Sequence, residues 1–452
     1  MLRNQAAQGS VNSSTMRISV FGLGYLGATH AVAMAQLGHE VIGVEPDEKK
    51  LESLKAGTLP FYEPGLGEAL RQELSAGRLN LVSTPGPEVG SCDVHFICVG
   101  TPQLTDSEGA DLRYVIAAGS ELALHLKPDA VVVGKSTIPV GTAETLRTEM
   151  TAVAGFDVRL AWNPEFLREG TALEDSLAPD RIVIGAWSED DAAVVQRVYQ
   201  PIIDGGVPCL VMDVATAELV KVAANSFLAT KISFINAMAE IAEASGADAV
   251  RLAEAIGMDE RIGSKFLRNG LGFGGGCLPK DIRGFMARAR ELGVGESIEF
   301  LRQVDHVNLR RRDRVVELAK SELGALENQR VLVLGISFKP DSDDLRDSPA
   351  LDVALRLSSL GAEVRVHDPK ALGALGDRHP ELLRAQDVSA GLEGCDLVIL
   401  GTEWEEYREL DPPAAAELVA NKVIIDARNV LEVEAWQAAG WKLIALGRNV
   451  HQ

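Results

Sequence analysis

Three consecutive glycines, Gly274-Gly275-Gly276, run into Cys277, and Leu278-Pro279-Lys280-Asp281 follows. The glycines strip side chains from the approach to the thiol. Pro279 is expected to stiffen the next turn, and Lys280 and Asp281 add charge to a polar, open setting. A structural cysteine sits in an apolar element and packs as a small hydrophobe, which describes Cys92, Cys98, Cys209 and Cys395. Cys277 reads instead as a nucleophile. Upstream, Lys221 and Asn225 are four residues apart in a helix-forming run, so an ammonium and an amide share a face and can hold an oxyanion. Asn163-Pro164-Glu165-Phe166-Leu167-Arg168-Glu169 carries two carboxylates, Glu165 and Glu169, expected near the start of a helix entered through the Asn-Pro turn.

Gly22-Leu23-Gly24-Tyr25-Leu26-Gly27 is a GxGxxG sequence between an expected strand (17–22) and an expected helix (26–37). Gly22 makes the tight turn, Gly24 lets backbone approach a pyrophosphate, and Gly27 lets helix pack on strand. The next strand ends at Glu45, where a carboxylate accepts the ribose hydroxyls of NAD and repels the extra phosphate of NADP. Val99-Gly100-Thr101-Pro102 and Lys135-Ser136-Thr137-Ile138-Pro139 close two later strands on the ligand side of the sheet, and are expected to line the nicotinamide half. A hydride acceptor combined with a nucleophilic thiol has a particular use. An aldehyde has no hydride to release until a nucleophile adds to it. A thiolate gives a thiohemiacetal, loss of hydride leaves a thioester, and water then releases the acid. The combination points to oxidation of an alcohol to a carboxylate.

The elements that must position these groups alternate. Strands are expected at 17–22, 40–44, 93–99, 130–134, 158–161 and 181–185, with helices or loops between them, which makes a doubly wound parallel sheet. From about Val214 the pattern changes to a proline-free helix over 216–245, stopped by Gly246, and a helical region to about Leu323. Strands resume at 330–335, 363–367, 396–400 and 422–426, so a second α/β domain echoes the first. The fold expected is two Rossmann-like parallel-sheet domains joined by a long central helix and a helical region, with the long helix a subunit contact.

Composition sets the outer bounds. The chain has 452 residues and a formal charge of −21, from 44 Lys and Arg against 65 Asp and Glu. Such a surface repels nucleic acid and anionic membrane, so neither is expected as a partner. No apolar run is long enough for a membrane span, and residues 1–15 are polar, without a secretory core, and expected as a disordered extension. Five cysteines, none in CxxC spacing, argue against a disulfide scaffold or a metal site and for a reducing cytoplasm.

In order along the chain, FGLGYLG, YEPGL (62–66), VGTP, KSTIPVGT, NPEFLREGTA, AELVKVAAN, RIGSKFLRNGLGFGGGCLPKD and GISFKPDSDDLRDSP (335–349) resemble the UDP-glucose/GDP-mannose dehydrogenase family, from about residue 17 to 447. These enzymes oxidise a sugar C6 alcohol to a uronic acid with NAD. The resemblance implies an NAD domain (16–213), a central helical dimerisation domain carrying the cysteine (214–323) and a UDP-sugar domain (324–452), in a homodimer or higher homo-oligomer. It makes Cys277 the nucleophile, Lys221 and Asn225 the oxyanion holders, Asp281 and Thr137 the holders of a water, and Glu165 the base for thioester hydrolysis. NAD contacts would come from Gly22, Gly24, Tyr25, Leu26, Gly27, Glu45, Lys50, Thr101, Pro102, Ser136, Thr137, Glu169 and Lys280. The nucleotide sugar would meet Glu165, Phe166, Leu167, Lys221, Asn225, Arg268, Phe338, Lys339, Arg346 and the loop from Phe266 to Gly274, and Arg261 would reach a neighbouring subunit's sugar.

Within the family the GGGCLPKD stretch resembles the UDP-glucose and GDP-mannose branches rather than those for N-acetylated sugars. RIGSKFLRNGLGFGGG favours UDP-glucose, while Gly100 keeps GDP-mannose open. A non-catalytic nucleotide-sugar sensor on the same fold is the other class, and the presence of Cys277, Lys221, Asn225 and Asp281 together argues against it.

Overall fold

The computed structural model describes residues 15–448; of the extension expected at 1–15, all but Thr15 lies outside them. The described chain divides into two compact units. One runs to Pro60 and adds Pro64–Pro102 and Asp111–Lys221; the other holds Phe61–Glu63, Gln103–Ala110 and the chain from Val222 onward. The helical segment and the C-terminal sheet therefore fall in one unit, and the division lies inside a helix.

In the first unit β1 (Arg17–Phe21), β2 (Glu40–Val44), β3 (Leu79–Val82), β4 (Val94–Ile97), β5 (Val131–Gly134), β6 (Arg159–Trp162), β7 (Ile182–Ala186) and β8 (Cys209–Met212) form one sheet. Its order is β3-β2-β1-β4-β5-β6-β7-β8. The central strands are continuous apolar runs because both faces of a parallel sheet are covered, and β4 and β5 are buried throughout. Pairing is parallel except between β6 and β7, where Trp162 faces Gly185. The link between those two strands is an irregular segment and the short helix Ala172–Leu177, which turns the chain back instead of carrying it across the sheet.

In the second unit β9 (Arg330–Leu334), β10 (Glu363–His367), β11 (Leu383–Arg384), β12 (Leu397–Leu400), β13 (Val423–Asp426) and β14 (Lys442–Ala445) form an all-parallel sheet ordered β11-β10-β9-β12-β13-β14. Its six positions repeat the order of the first six strands of the first sheet. The long helix is continuous over Val214–Ser245, since no proline or glycine interrupts it, and the helices Ala249–Gly257, Leu278–Glu291 and Phe300–Leu323 follow. No helix of the described residues is long and apolar enough to cross a membrane.

Candidate active site

In the first unit, the turn after β1 is closed by Gly22 at φ +83°, a conformation that favours glycine. The helix Tyr25–Gln36 starts directly from Gly24, with no side-chain cap and no acidic residue in its first turn. A Cβ at Gly24 would stand in open space, whereas one at Gly27 would overlap the Gly22 carbonyl. Glu45 is buried at the end of β2, where Oε2 accepts from the Leu23 N–H (2.9 Å) and from Lys50 Nζ (3.0 Å). The strand ends beside it are tied together: Thr101 Oγ1 donates to the Thr137 carbonyl (2.6 Å) and Ser136 Oγ to that of Val99 (2.6 Å). Pro102 follows Thr101 in the same loop.

Glu165 and Lys221 meet. Lys221 Nζ lies 2.9 Å from Glu165 Oε1, and both side chains are almost wholly buried. The other carboxylate oxygen accepts from the Leu167 N–H (2.8 Å). Two cations lie over the Phe166 ring, the Arg181 guanidinium 3.9 Å and Lys221 Nζ 5.7 Å from its centroid. One expectation fails here. Residues 163–168 are irregular and the next helix begins only at Ala172, so Glu165 and Glu169 do not lie at a helix start. Glu165 turns back on its own backbone, and the Arg168 N–H and guanidinium are drawn to Asp175 instead (2.7 Å and 2.5 Å). Beyond Glu169, the Gly170 N–H reaches the Tyr25 hydroxyl (3.2 Å).

In the second unit Cys277 is exposed, the only one of the five cysteines that is. Burial pushes the Cys92 and Cys395 thiols up to about 11 and Cys98 to about 12, which keeps them inert. Cys277 sits at the start of the helix Leu278–Glu291, and Pro279 lies within the first turn of that helix rather than in a loop. Proline suits that position because the missing N–H has no partner there to lose. Four residues on, Asp281 is buried and accepts from Asn225 Nδ2 (2.6 Å) while Lys280 Nζ sits 2.8 Å away. The loop 335–348 backs the glycine run. The Gly275 N–H donates to the Arg346 carbonyl (2.9 Å), and a Cβ at Gly276 would collide with the Arg346 guanidinium. Asp344 grips that guanidinium through both carboxylate oxygens. Lys339 Nζ lies 5.4 Å from the Phe338 ring centroid. Phe266, at φ +63°, and Arg268 are exposed, and Arg261 pairs with Asp259 (2.6 Å).

The chain matches the UDP-glucose/GDP-mannose dehydrogenase family in all its parts: the NAD binding domain over residues 16–203, the central domain over 215–310 and the UDP binding domain over 332–433. It belongs to that family. It is 37% identical over 438 residues to the UDP-glucose 6-dehydrogenase TuaD of Bacillus subtilis, covering 96% of this chain and 93% of that one. Among solved structures it resembles a UDP-glucose dehydrogenase from the hyperthermophilic archaeon Pyrobaculum islandicum, with a TM-score of 0.87 and 40% identity over 97% of this chain and 98% of the other. A GDP-mannose dehydrogenase from Pseudomonas aeruginosa gives a TM-score of 0.53 and 29% identity over 95% of this chain and 100% of the other.

The protein is thus an NAD-dependent nucleotide-sugar dehydrogenase. The residues after β1 fit the cofactor: open space at Gly24, an uncapped helix start for a phosphate, and a carboxylate at the end of β2. Several residues of this family member escaped sequence reasoning. Glu218 accepts from the N–H groups of Gly141 (2.7 Å) and Ala143 (2.8 Å), fixing the end of the KSTIPVGT segment. Arg181 acts on Phe166 from fifteen residues away, a distance that no local spacing reveals, whereas Asp344 grips Arg346 from two residues away.

Proposed function

We propose that this enzyme oxidises the C6 alcohol of UDP-glucose to the carboxylate of UDP-glucuronate, with Cys277 holding the carbon covalently during the second oxidation. The supporting observation is the setting of Cys277, the lone exposed thiol at a helix start, preceded by side-chain-free backbone and followed by the buried Asp281–Asn225 pair. The identity to UDP-glucose dehydrogenases over nearly the whole chain supports the choice of sugar.

NAD, when bound, supplies the hydride acceptor for each of two oxidations. The chain's own groups do the rest. Lys221 and Asn225 hold the alcohol oxygen as it becomes an alkoxide and later an oxyanion. The Cys277 thiolate adds to the aldehyde carbon, and the carbonyl oxygen takes a proton to give a thiohemiacetal. Loss of hydride and that proton leaves a thioester. Thr137 and Asp281 hold a water for proton transfer, and Glu165 takes a proton from the water that attacks the thioester, returning the thiol and releasing the acid. Each sugar consumes one water, reduces two NAD and releases three protons.

Tyr25, Leu26, Glu45, Lys50, Thr101, Pro102, Ser136, Glu169 and Lys280 are assigned to NAD. Phe166, Leu167, Phe266, Arg268, Gly274, Phe338, Lys339 and Arg346 are assigned to the nucleotide sugar, where guanidinium and ammonium suit a diphosphate. Arg261 is assigned to a neighbouring subunit's sugar. The chain works as a homodimer along the long helix, on which Phe227, Phe234 and Ile241 repeat every seven residues with half or more of each side chain exposed. All five cysteines are free, in keeping with a cytoplasmic enzyme.

The test compares NADH yield with UDP-glucose, GDP-mannose, UDP-galactose and UDP-N-acetylmannosamine, for the native enzyme and Cys277→Ser. The expected result is two NADH per UDP-glucose in the native enzyme, and no uronate with sugar binding retained in the variant. A preference for GDP-mannose would overturn the substrate, and undiminished uronate formation by Cys277→Ser would overturn the covalent route.

A further inference from the structure

Lys135, at the end of β5, is buried to 8% exposure, and among the described residues no carboxylate lies within ion-pair distance of it. Burying an ammonium without an ion pair costs several kcal/mol, so the position needs a reason. Its Nζ donates to Asn163 Oδ1 (2.9 Å) and to the Tyr199 hydroxyl (3.3 Å). The Tyr199 hydroxyl donates to the same Asn163 oxygen (2.6 Å), and Asn163 Nδ2 donates to the Val183 carbonyl (2.7 Å). The Asn163 N–H is held as well, by the Gly134 carbonyl (2.8 Å). Asn163 is thereby immobilised on both sides of its amide, and it opens the irregular segment that carries Glu165. That segment has no helix or strand bonding of its own, so its anchors are side chains: Asn163 at one end and the Glu165–Lys221 pair after it. Burial lowers the Lys135 pKa to about 8, and the Glu165 charge partly offsets this, so the two groups attract electrostatically although they do not touch.

We propose that Lys135 is a positioning residue for thioester hydrolysis: by fixing Asn163 it aims the Glu165 carboxylate at the attacking water. The inference rests on the roles given above to Cys277 and Glu165. A lysine serving the fold alone would affect every step or none. A lysine that aims Glu165 affects hydrolysis and spares the oxidations before it.

Lys135→Met keeps the length of the side chain and removes the charge and both hydrogen bonds. Rapid-quench kinetics with UDP-glucose and NAD, read with intact-protein mass spectrometry, are expected to show an undiminished NADH burst, steady-state turnover slower by ~10- to 100-fold, and an acyl adduct accumulating on the enzyme. Glu165→Gln is expected to behave alike, and the double variant to hydrolyse no more slowly than Glu165→Gln alone. Should Lys135→Met fail to fold, Tyr199→Phe removes one of the two donors to Asn163, with an expected ~3- to 10-fold loss in hydrolysis only. Native turnover by Glu165→Gln would sink the role of Glu165 on which this rests. A slow Glu165→Gln beside a Lys135→Met without adduct, or a burst and steady state slowed equally, would sink the role of Lys135 itself.

Discussion

The two sheets begin with the same device and put it to different uses. In each, a glycine with positive φ follows the first strand, Gly22 at +83° and Gly335 at +84°. The N–H of that glycine bonds the last carbonyl of the second strand or its neighbour, Val44 (2.9 Å) or His367 (2.8 Å), and the next N–H bonds an acid one residue later, Glu45 (2.9 Å) or Asp368 (2.8 Å). Then they diverge. After Gly22 the helix starts within three residues, leaving open backbone at Gly24. After Gly335 it waits until Pro349, and the intervening loop carries Lys339 and Arg346. The acids differ accordingly. Glu45 keeps acceptor capacity at Oε1, where its bond to the Asp47 N–H is long (3.2 Å). Asp368 is saturated, taking the Ile336 and Ser337 N–H groups and Ser337 Oγ on Oδ2, and the Lys370 and Ala371 N–H groups on Oδ1. One turn is left open for a ligand; the other is spent on holding a loop.

Asp368→Ala gives the largest effect that follows from this contrast. Four backbone donors, of Ile336, Ser337, Lys370 and Ala371, lose their acceptor, at about 1–3 kcal/mol for each one left unpaired in the interior. Urea unfolding is expected to show a loss of roughly 4 kcal/mol or more, with KM for NAD unchanged in the folded fraction. A stable variant with poor NAD binding would erase the distinction between the two acids.

Buried cations sharpen the contrast next. In the second unit Arg312 is paired with Asp347 and Asp352, and Arg311 with Glu243, whereas Lys135 in the first unit has no such partner among the described residues. The folded pKa of Lys135 lies at about 8, below its ordinary 10.5. The unfolded chain therefore holds the proton more tightly, and the burial penalty is complete below about pH 8 and fades as pH rises to 10.5. Native stability measured against Lys135→Met should climb by up to roughly 3 kcal/mol between pH 7 and 10.5. A difference that stays flat with pH would mean that the folded lysine keeps its ordinary pKa, so that burial does not penalise its charge.

Glu45→Ala has the smallest expected effect on the fold and a specific one on the ligand: KM for NAD up about tenfold, with a stability loss of ~1–2 kcal/mol from the Leu23 N–H. Equal losses in both quantities would make Glu45 another Asp368.

How much of this was legible in the sequence depends on the reach of the contacts. The interior strands were readable because a parallel sheet makes them unbroken apolar runs, as in 130–134 and 396–400. The four strands that the patterning misses, β3, β8, β11 and β14, are the outermost strands of the two sheets, short and half exposed, where the apolar signal fades. The glycine fingerprint and the cysteine run carry local chemistry and could be read directly. The Asn163-Pro164 turn misled, because proline marks a helix start only when the following residues lack a stronger partner, and Glu165 finds one in Lys221 and in its own backbone. Tyr199 and Arg181 left no trace because each acts across strands or loops, and Lys135 could be read only as part of a strand-end segment, since its partners Asn163 and Tyr199 lie 28 and 64 residues away.

Cys277 as the carrier of the sugar carbon can be tested by locating that carbon. The enzyme is mixed with NAD and UDP-glucose carrying carbon-13 in the sugar, quenched in acid during the first turnovers, digested and mapped by mass spectrometry. The labelled acyl group is expected on the peptide containing Cys277, and none on those containing Cys92, Cys98, Cys209 or Cys395. Full-rate formation of labelled uronate with that peptide bare throughout would contradict it.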